Sequence, residues 1–175
     1  MAVVEGMKES YGANGEVAAL RSQLAAIQRT LPADVATAAT ALDTKLATIG
    51  GTLPRGGRGG GGGFGGPVRP PGSVLTFYAI NNLYNTVLGP LAQNGIDMPP
   101  TPAEIDTLET GCKEYTATAN AWKTMLDTDV AAFNSMLTKN NLAPLKVTPS
   151  AIRARGTCSI LSFRPSATGK RGGRE

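Results

Sequence analysis

The sequence predicts an all-α fold, and within that class an antiparallel four-helix bundle made of two helix hairpins joined by a glycine-rich disordered linker. Apolar residues recur at steps of three and four in four separate segments, which is the spacing of one helix face. A run of glycine, arginine and proline divides the four segments into two pairs. Within each pair the connection is short, and helices joined by short loops pack antiparallel.

The first hairpin is expected at 14–49, after a disordered leader at 1–13. Asn14 has the side-chain oxygen of a good N-cap, and Pro32 both ends the first helix and begins the second. The apolar stripes are Val17, Leu20, Leu24, Ile27 and Leu31 in the first helix, and Val35, Ala38 or Ala39, Leu42, Leu46 and Ile49 in the second. The alanines of the second stripe predict a seam at which the two helices approach closely.

The linker at 50–72 is nearly all glycine, arginine and proline. Five consecutive glycines at 59–63 lose too much backbone entropy to hold one conformation, which is typical of a flexible spacer. The alternative is a contact with RNA or single-stranded nucleic acid, because arginine binds phosphate and phenylalanine stacks on bases. The candidate residues for that contact are Arg55, Arg58, Phe64 and Arg69. The linker holds only two Arg-Gly-Gly repeats, which favours the spacer.

The second hairpin is expected at 73–145 and begins with a helix that Ser73 caps. The stripe of this helix is Phe77, Ile80, Tyr84 and Val87, widened by Leu83 and Leu88. Gly89–Pro90 is expected to break or kink the helix, because a proline clashes with the preceding turn.

The last helix has the strongest start signal of the chain. Thr101 is the predicted N-cap, Pro102 stands at the first helical position, and Glu104 follows the cap by three residues, which together form the capping-box pattern. The helix continues for roughly 38 residues to an expected left-handed C-cap at Asn140–Asn141. It is longer than its neighbour, so part of it is expected to pack on the first hairpin or on another copy of the chain.

The predicted core of the last helix comprises Ile105, Leu108, Cys112, Tyr115, Trp122, Leu126 and Phe133. Asp129 interrupts this stripe before Val130, Phe133, Met136 and Leu137 resume it. An acid on an apolar stripe marks a kink, a helix end or a polar position that sets the register. We therefore expect Asp129 to have a structural role.

Composition argues against catalysis and against a metal or cofactor site. Histidine, the commonest general acid or base and a common metal ligand, is absent, and only two cysteines are present. Cys112 lies on the stripe of the last helix, where a cysteine behaves as a small hydrophobic residue. The alternative for Cys112 is a disulfide with Cys158, if the chain is exported. We predict that the protein is not an enzyme.

The tail at 146–175 is basic and is expected to be mostly disordered, although the run at 158–163 could dock as an extended segment. It contributes much of the net charge of +4. Such a tail attracts nucleic acid or anionic membranes, but more often it is a solvated end. The first residues lack the apolar core of a signal peptide, and no apolar run is long enough to span a membrane.

Several short runs resemble one protein family. They are Leu31-Pro32-Ala33-Asp34, the GGRGGGGGFGG spacer, Asn81-Asn82-Leu83-Tyr84, PPTPAEID, Ala121-Trp122 and the residues from Val130 to Leu137 before Leu142-Ala143-Pro144-Leu145. Together they resemble the C-terminal helical region of large bacterial sortilin-like β-propeller proteins, which carry Asp-box repeats and are glycosyl-hydrolase-like. The resemblance covers roughly Val17 to Leu145, and the tail after Val147 departs from it.

The resemblance implies a helical accessory domain detached from its propeller, with no catalytic residue to carry over. It also implies a periplasmic or extracellular protein, although this chain shows no signal peptide. The predicted function is therefore a non-catalytic helical interaction domain, whose partner is another protein or the parent propeller. The alternative is a basic module that binds RNA or single-stranded nucleic acid through the linker and the tail, and nucleic acid is the less favoured partner.

Overall fold

A computed structural model of the protein describes residues 2–51, 73–93 and 101–147. Its helices are α1 (Ala2–Ile27), α2 (Ala33–Gly50), α3 (Phe77–Gln93), α4 (Pro102–Met125) and α5 (Ala131–Lys139), with a 3₁₀ turn at Gln28–Thr30 and a π-helical segment at Leu126–Val130. No strand occurs in these three ranges. The all-α class predicted from the sequence is confirmed.

Helix α1 begins at Ala2, so the prediction of a disordered leader at 1–13 is wrong. Ser10 and Ala13 are 0% and 1% exposed, and they extend the stripe of Val17 toward the N-terminus by the same steps of three and four. Neither Ser10 nor Ala13 has a large apolar side chain, so this part of the stripe gives only a weak pattern in the sequence. Asn14, the predicted N-cap, lies inside the helix.

Helix α2 packs closely against α1, as its small residues predict. Its buried residues are Val35, Ala39, Leu42, Leu46, Ile49 and Gly50. At Gly50 the two helices approach so closely that a Cβ atom there would lie 2.7 Å from Cγ1 of Val17. The chain then leaves the helix through Gly51, whose φ of +88° is one that glycine adopts without steric cost. The rest of the linker lies outside the described residues.

Helix α3 differs from the prediction at both ends. Thr76 caps it, with its Oγ1 accepting a hydrogen bond from the Ala79 N–H at 3.1 Å, rather than Ser73. The helix also continues through Gly89–Pro90 to Gln93, so it does not break there, and the alternative of a kink stays a prediction. A proline removes one backbone hydrogen bond, and Gly89–Pro90 stands within the last five residues of α3.

The last helix begins and ends as predicted. The Thr101 N–H donates to the Glu104 carboxylate at 2.7 Å and the Glu104 N–H donates to the Thr101 hydroxyl at 3.3 Å, so the capping box is confirmed. Asn141 has a φ of +57° at the other end. There the Leu142 N–H bonds the Leu137 carbonyl and the Asn141 N–H bonds the Thr138 carbonyl, which is a complete Schellman motif.

Between these ends α4, the π segment and α5 form one uninterrupted run from Pro102 to Lys139. Leu108, Tyr115 and Trp122 are buried and stand seven residues apart. Val130 is buried eight residues after Trp122, and Leu137 is buried seven residues after Val130. A π turn holds one more residue than an α turn, so it advances the register by one position. Asp129 thereby leaves the stripe, and Met136, which was expected on the stripe, is 36% exposed.

Helix α1 contacts α2, α3 and α4, while α3 also contacts α4 and α2 contacts α5. The C-terminal half of the long run therefore packs on the first hairpin, one of the two expected places. Lys45 of α2 donates to Asp129 at 2.6 Å across this contact. Thr118 donates to the Leu75 carbonyl at 2.6 Å, and Trp122 Nε1 donates to Glu16 at 3.2 Å, so buried polar groups fix how α1, α3 and α4 meet.

Candidate functional site

The candidate site is the contact that the chain following α5 makes with side chains of α1 and α5. After the Schellman motif, residues 142–147 have no regular secondary structure, and we call them the terminal segment. Pro144 fixes its own φ and biases Ala143 away from helical angles, which favours an extended backbone. Leu145, the next residue, is only 6% exposed.

Two side-chain amides bind the backbone of the terminal segment. Asn134 of α5 accepts a hydrogen bond from the Leu145 N–H at 2.7 Å and donates to the Leu145 carbonyl at 3.2 Å. Gln23 of α1 accepts from the Lys146 N–H at 2.8 Å and donates to the Lys146 carbonyl at 3.0 Å. Each amide therefore satisfies both backbone groups of one residue, and we call this pair of side chains the amide clamp.

The amide clamp binds the terminal segment from two sides. Successive residues of an extended chain point their backbone polar groups in opposite directions. Leu145 therefore turns its N–H and C=O toward α5, and Lys146 turns its own toward α1. The two amides pair with the backbone as neighbouring strands of a sheet would, and the Leu145 side chain is buried in the hydrophobic core.

An ion pair on the first hairpin helps to hold α1, which carries one half of the clamp. Arg21, two residues before Gln23, donates from Nε to Asp43 at 2.7 Å and from a second nitrogen to the same carboxylate at 3.1 Å. The hydrogen bond with Asp43 raises the pKa of the Arg21 guanidinium above its usual value. This two-point contact links α1 to α2 close to Gln23 in the sequence.

Cys112 is not the free core thiol that the stripe predicted. It is half-buried and disulfide-bonded. The chain has two cysteines, so the disulfide alternative names Cys158 as the partner within the chain, and that residue lies outside the described ranges. Cys112 is only half-buried because the buried face of α4 passes through its neighbours Gly111 and Tyr115.

The other predicted positions divide into three groups. Of the predicted core residues of the long helix, Leu108, Tyr115, Trp122 and Phe133 are buried, whereas Ile105 and Leu126 are half-buried. The candidates for nucleic-acid contact, Arg55, Arg58, Phe64 and Arg69, lie outside the described residues. Lys146 and Val147, placed in the disordered tail by the prediction, belong to the clamped segment.

Sequence reasoning did not find the amide clamp. Gln23 is a polar residue off the apolar stripe of α1, and Asn134 lies within the run from Val130 to Leu137. Asparagine and glutamine carry both a donor and an acceptor, which is what a backbone residue requires, but that property is shared by many surface amides. The one usable signal is Pro144 followed by an isolated leucine just after a helix stop.

No protein-family model, curated protein or solved structure matches the chain. Within the part of the chain that the structure describes, no helix has the length and apolar character needed to cross a bilayer. In the same ranges, no group of three or more acidic, cysteine or histidine side chains is arranged to hold a metal ion.

Proposed function

We propose that this protein is a non-catalytic helical interaction domain that binds a protein partner. The observation that carries the proposal is the amide clamp, in which Gln23 and Asn134 bind an extended backbone at four points between 2.7 and 3.2 Å. Recognition of an extended main chain by fixed donors and acceptors is a common way for a domain to bind another protein.

The proposed architecture is an antiparallel four-helix bundle made of two hairpins. Contacts of α1 with α2, α3 and α4, and of α2 with α5, support it. The long run from Pro102 to Lys139 would then be the shared spine of both hairpins. Leu108→Asp combined with Leu137→Asp places a charge on each side of the π segment and should abolish the helical circular dichroism. Retention of that signal would refute the bundle.

We place this domain outside the cytoplasm, in the periplasm or the extracellular space. The disulfide at Cys112 supports this placement, because structural disulfides persist in oxidising compartments. A propeller domain, as the family resemblance implies, is one protein partner that fits such a location.

The interaction function is tested by photo-crosslinking from Val147, which is 41% exposed beside the clamp. The full chain is expressed in cells of its source organism with a photo-reactive residue at position 147. We expect a protein adduct that disappears with Gln23→Ala plus Asn134→Ala. The matched control is Gln28→Ala, which removes an amide of the same chain that bonds only the Thr40 hydroxyl at 3.1 Å.

Two outcomes contradict the proposal. One is an adduct that the clamp variant leaves unchanged, because binding would then not depend on the amide clamp. The other is salt-dependent retention of single-stranded RNA in a filter assay, lost when 50–72 is deleted. That result would favour the alternative function, which relies on Arg55, Arg58, Phe64 and Arg69.

A further inference from the structure

The terminal segment runs back along the long helix, toward the N-terminal half of that helix. Its first residue, Leu142, donates from its N–H to the Leu137 carbonyl. Three residues later, the Leu145 N–H donates to the side chain of Asn134, which stands three residues earlier in the helix. The chain that follows Val147 therefore leaves the amide clamp in the direction of α4.

The disulfide gives this chain a second fixed point. Cys112 of α4 is disulfide-bonded, and the chain has one other cysteine, Cys158, so an intrachain bond holds Cys158 at α4. Cys112 is turned about 100° around the helix from Gly111, which packs on α3, and so it lies on a side away from α3. From Cys112 to Asn134, where the clamp holds Leu145, is 22 residues of continuous helix, or about 33 Å.

The length of the chain between these two fixed points restricts its conformation. Cys158 follows Leu145 by 13 residues. As a helix they would span about 20 Å, which falls short of the distance even with the 5.5 Å or so between the Cα atoms of a disulfide. Fully extended they would span about 43–47 Å. To cover about 33 Å they must run largely extended, at roughly 2.5 Å per residue, along the surface of the helices.

Helix α1 carries a line of polar side chains along this path. Glu9, Glu16 and Gln23 stand seven residues apart, so they share one side of α1, and all three are half-buried. Gln23 binds Lys146, and Glu16 accepts a hydrogen bond from Trp122 Nε1 of α4 at 3.2 Å. The two carboxylates therefore lie beyond the clamp in the direction in which the chain leaves it, on the side where α1 meets α4.

The chain between the clamp and the disulfide carries the complementary charge. Arg153 and Arg155 are the charged residues between positions 146 and 158. At roughly 2.5 Å per residue they lie about 18 and 23 Å beyond the clamped position 146. Glu16 and Glu9 lie about 10 and 21 Å beyond the clamp residue of their own helix. The two arginines thus come level with the part of α1 that carries the two carboxylates.

We propose that residues 148–157 form an extended strap whose two arginines pair with Glu9 and Glu16. The disulfide from Cys112 to Cys158 fastens the far end of this strap to α4, which makes the strap sensitive to redox state. A dithiol reductant opens it: two electrons and two protons convert the disulfide to two cysteine thiols, and the reductant becomes a disulfide. The amide clamp then holds one end alone, and the basic tail is released. This inference does not depend on the proposed interaction function.

The experiment is limited proteolysis of the full chain with trypsin, followed over time by mass spectrometry. Trypsin must enclose an arginine side chain and the chain around it, which a strap bound to α1 does not allow. We expect cleavage after Arg153 and Arg155 to be at least tenfold slower in the oxidised protein than after reduction with dithiothreitol. Lys170, beyond Cys158, is the matched control, because trypsin should cleave after it equally fast in both states.

A second variant tests the ion pairs without reduction. Glu9→Gln combined with Glu16→Gln removes both carboxylates and keeps an amide oxygen to accept from Trp122 Nε1. In the oxidised protein this variant should raise the rate of cleavage at the two strap arginines at least threefold. Asp106→Asn removes an exposed carboxylate of α4 that lies outside the line on α1, and it should leave the rates unchanged.

The proposal is overturned if trypsin cleaves the oxidised and the reduced protein equally fast at the two arginines. It is also overturned if the digest of the unreduced protein contains no peptide that links Cys112 to Cys158. Should reduction unfold the helices, cleavage after Arg21 within α1 accelerates as well, and the oxidised glutamine variant then decides. Unchanged cleavage rates in that variant reject the strap.

Discussion

The contact between α1 and α2 at Gly50 predicts both the direction and the size of the change in stability that Gly50→Ala causes. A methyl group on Gly50 would lie 2.7 Å from Cγ1 and 3.1 Å from Cβ of Val17. Val17 is 1% exposed and its β-branched side chain has one preferred rotamer in a helix, so it has little room to move. We therefore expect Gly50→Ala to force the two helices apart.

The magnitude follows from two opposing effects. Overpacking of a well-packed core costs about 1–3 kcal/mol. Replacing glycine by alanine inside a helix gains at most about 1 kcal/mol, and less at Gly50 because it is the last residue of α2. The net expectation is a loss of about 1–2 kcal/mol in the free energy of unfolding.

The matched control is Gly15→Ala, within α1. A Cβ atom at Gly15 meets nothing within 4 Å, so only the helix-propensity effect remains. We expect this variant to be more stable than wild type by about 0.5–1 kcal/mol. The same substitution should therefore change stability in opposite directions at the two glycines.

Stability is measured by chemical unfolding, followed by circular dichroism and by the fluorescence of Trp122, the one tryptophan of the chain, with the disulfide intact. Val17→Ala should cost less in the Gly50→Ala background than in wild type, because it removes the clashing methyl groups. A Gly50→Ala variant as stable as wild type, or a double-mutant cycle with no coupling, would refute the proposed close approach of the helices.

Three further predictions concern the last helix and its cysteine. Deletion of Thr128 in the π segment should change the free energy of unfolding by less than about 1 kcal/mol, because Trp122 and Val130 then stand seven residues apart. Deletion of the exposed Asn120, which lies in the regular α4 helix, should instead unfold the protein. Thr101→Ala removes the capping box and should cost about 0.5–2 kcal/mol in thermal or chemical unfolding. Titration of the unfolded protein should find no free thiol at Cys112 before reduction and two in the chain after it.

For each of these three predictions one result would refute the reasoning. If both deletions are equally damaging, the π segment does not account for the interval of eight between buried residues. If Thr101→Ala has no effect on stability, its two hydrogen bonds with Glu104 do not hold the helix start. If the unfolded, unreduced chain reacts with thiol reagents, Cys112 is not disulfide-bonded.

Sequence patterns predicted individual helices well where the signal was local. The capping box at Thr101 uses atoms three residues apart, and the stripe of α2 needs only its own spacing, so neither requires knowledge of a partner. Patterns failed where packing outweighed propensity. Helix α1 extends to Ala2 although Gly12 and Gly15 disfavour a helix, because Ser10 and Ala13 are buried against the other helices.

The register of the last helix shows a subtler limit. The sequence located the disturbance at Asp129, because an acid on an apolar stripe is conspicuous. It could not say whether Asp129 marks a kink, a helix end or a polar position that sets the register, since an acid on an apolar stripe is compatible with all three. The structure shows a shift of one residue, which buries Val130 and Leu137 and leaves Met136 at the surface.

By itself, then, the sequence determined the all-α class, the boundaries of α2 and the start and stop of the long helix, because each depends on residues within one or two turns. Only the tertiary structure decided that Gln23 and Asn134 face the same extended segment. They lie more than 100 residues apart in the chain, and their amides are indistinguishable from surface residues until α1 and α5 are brought together. A clamp made of backbone bonds leaves almost no side-chain signature in the segment that it holds.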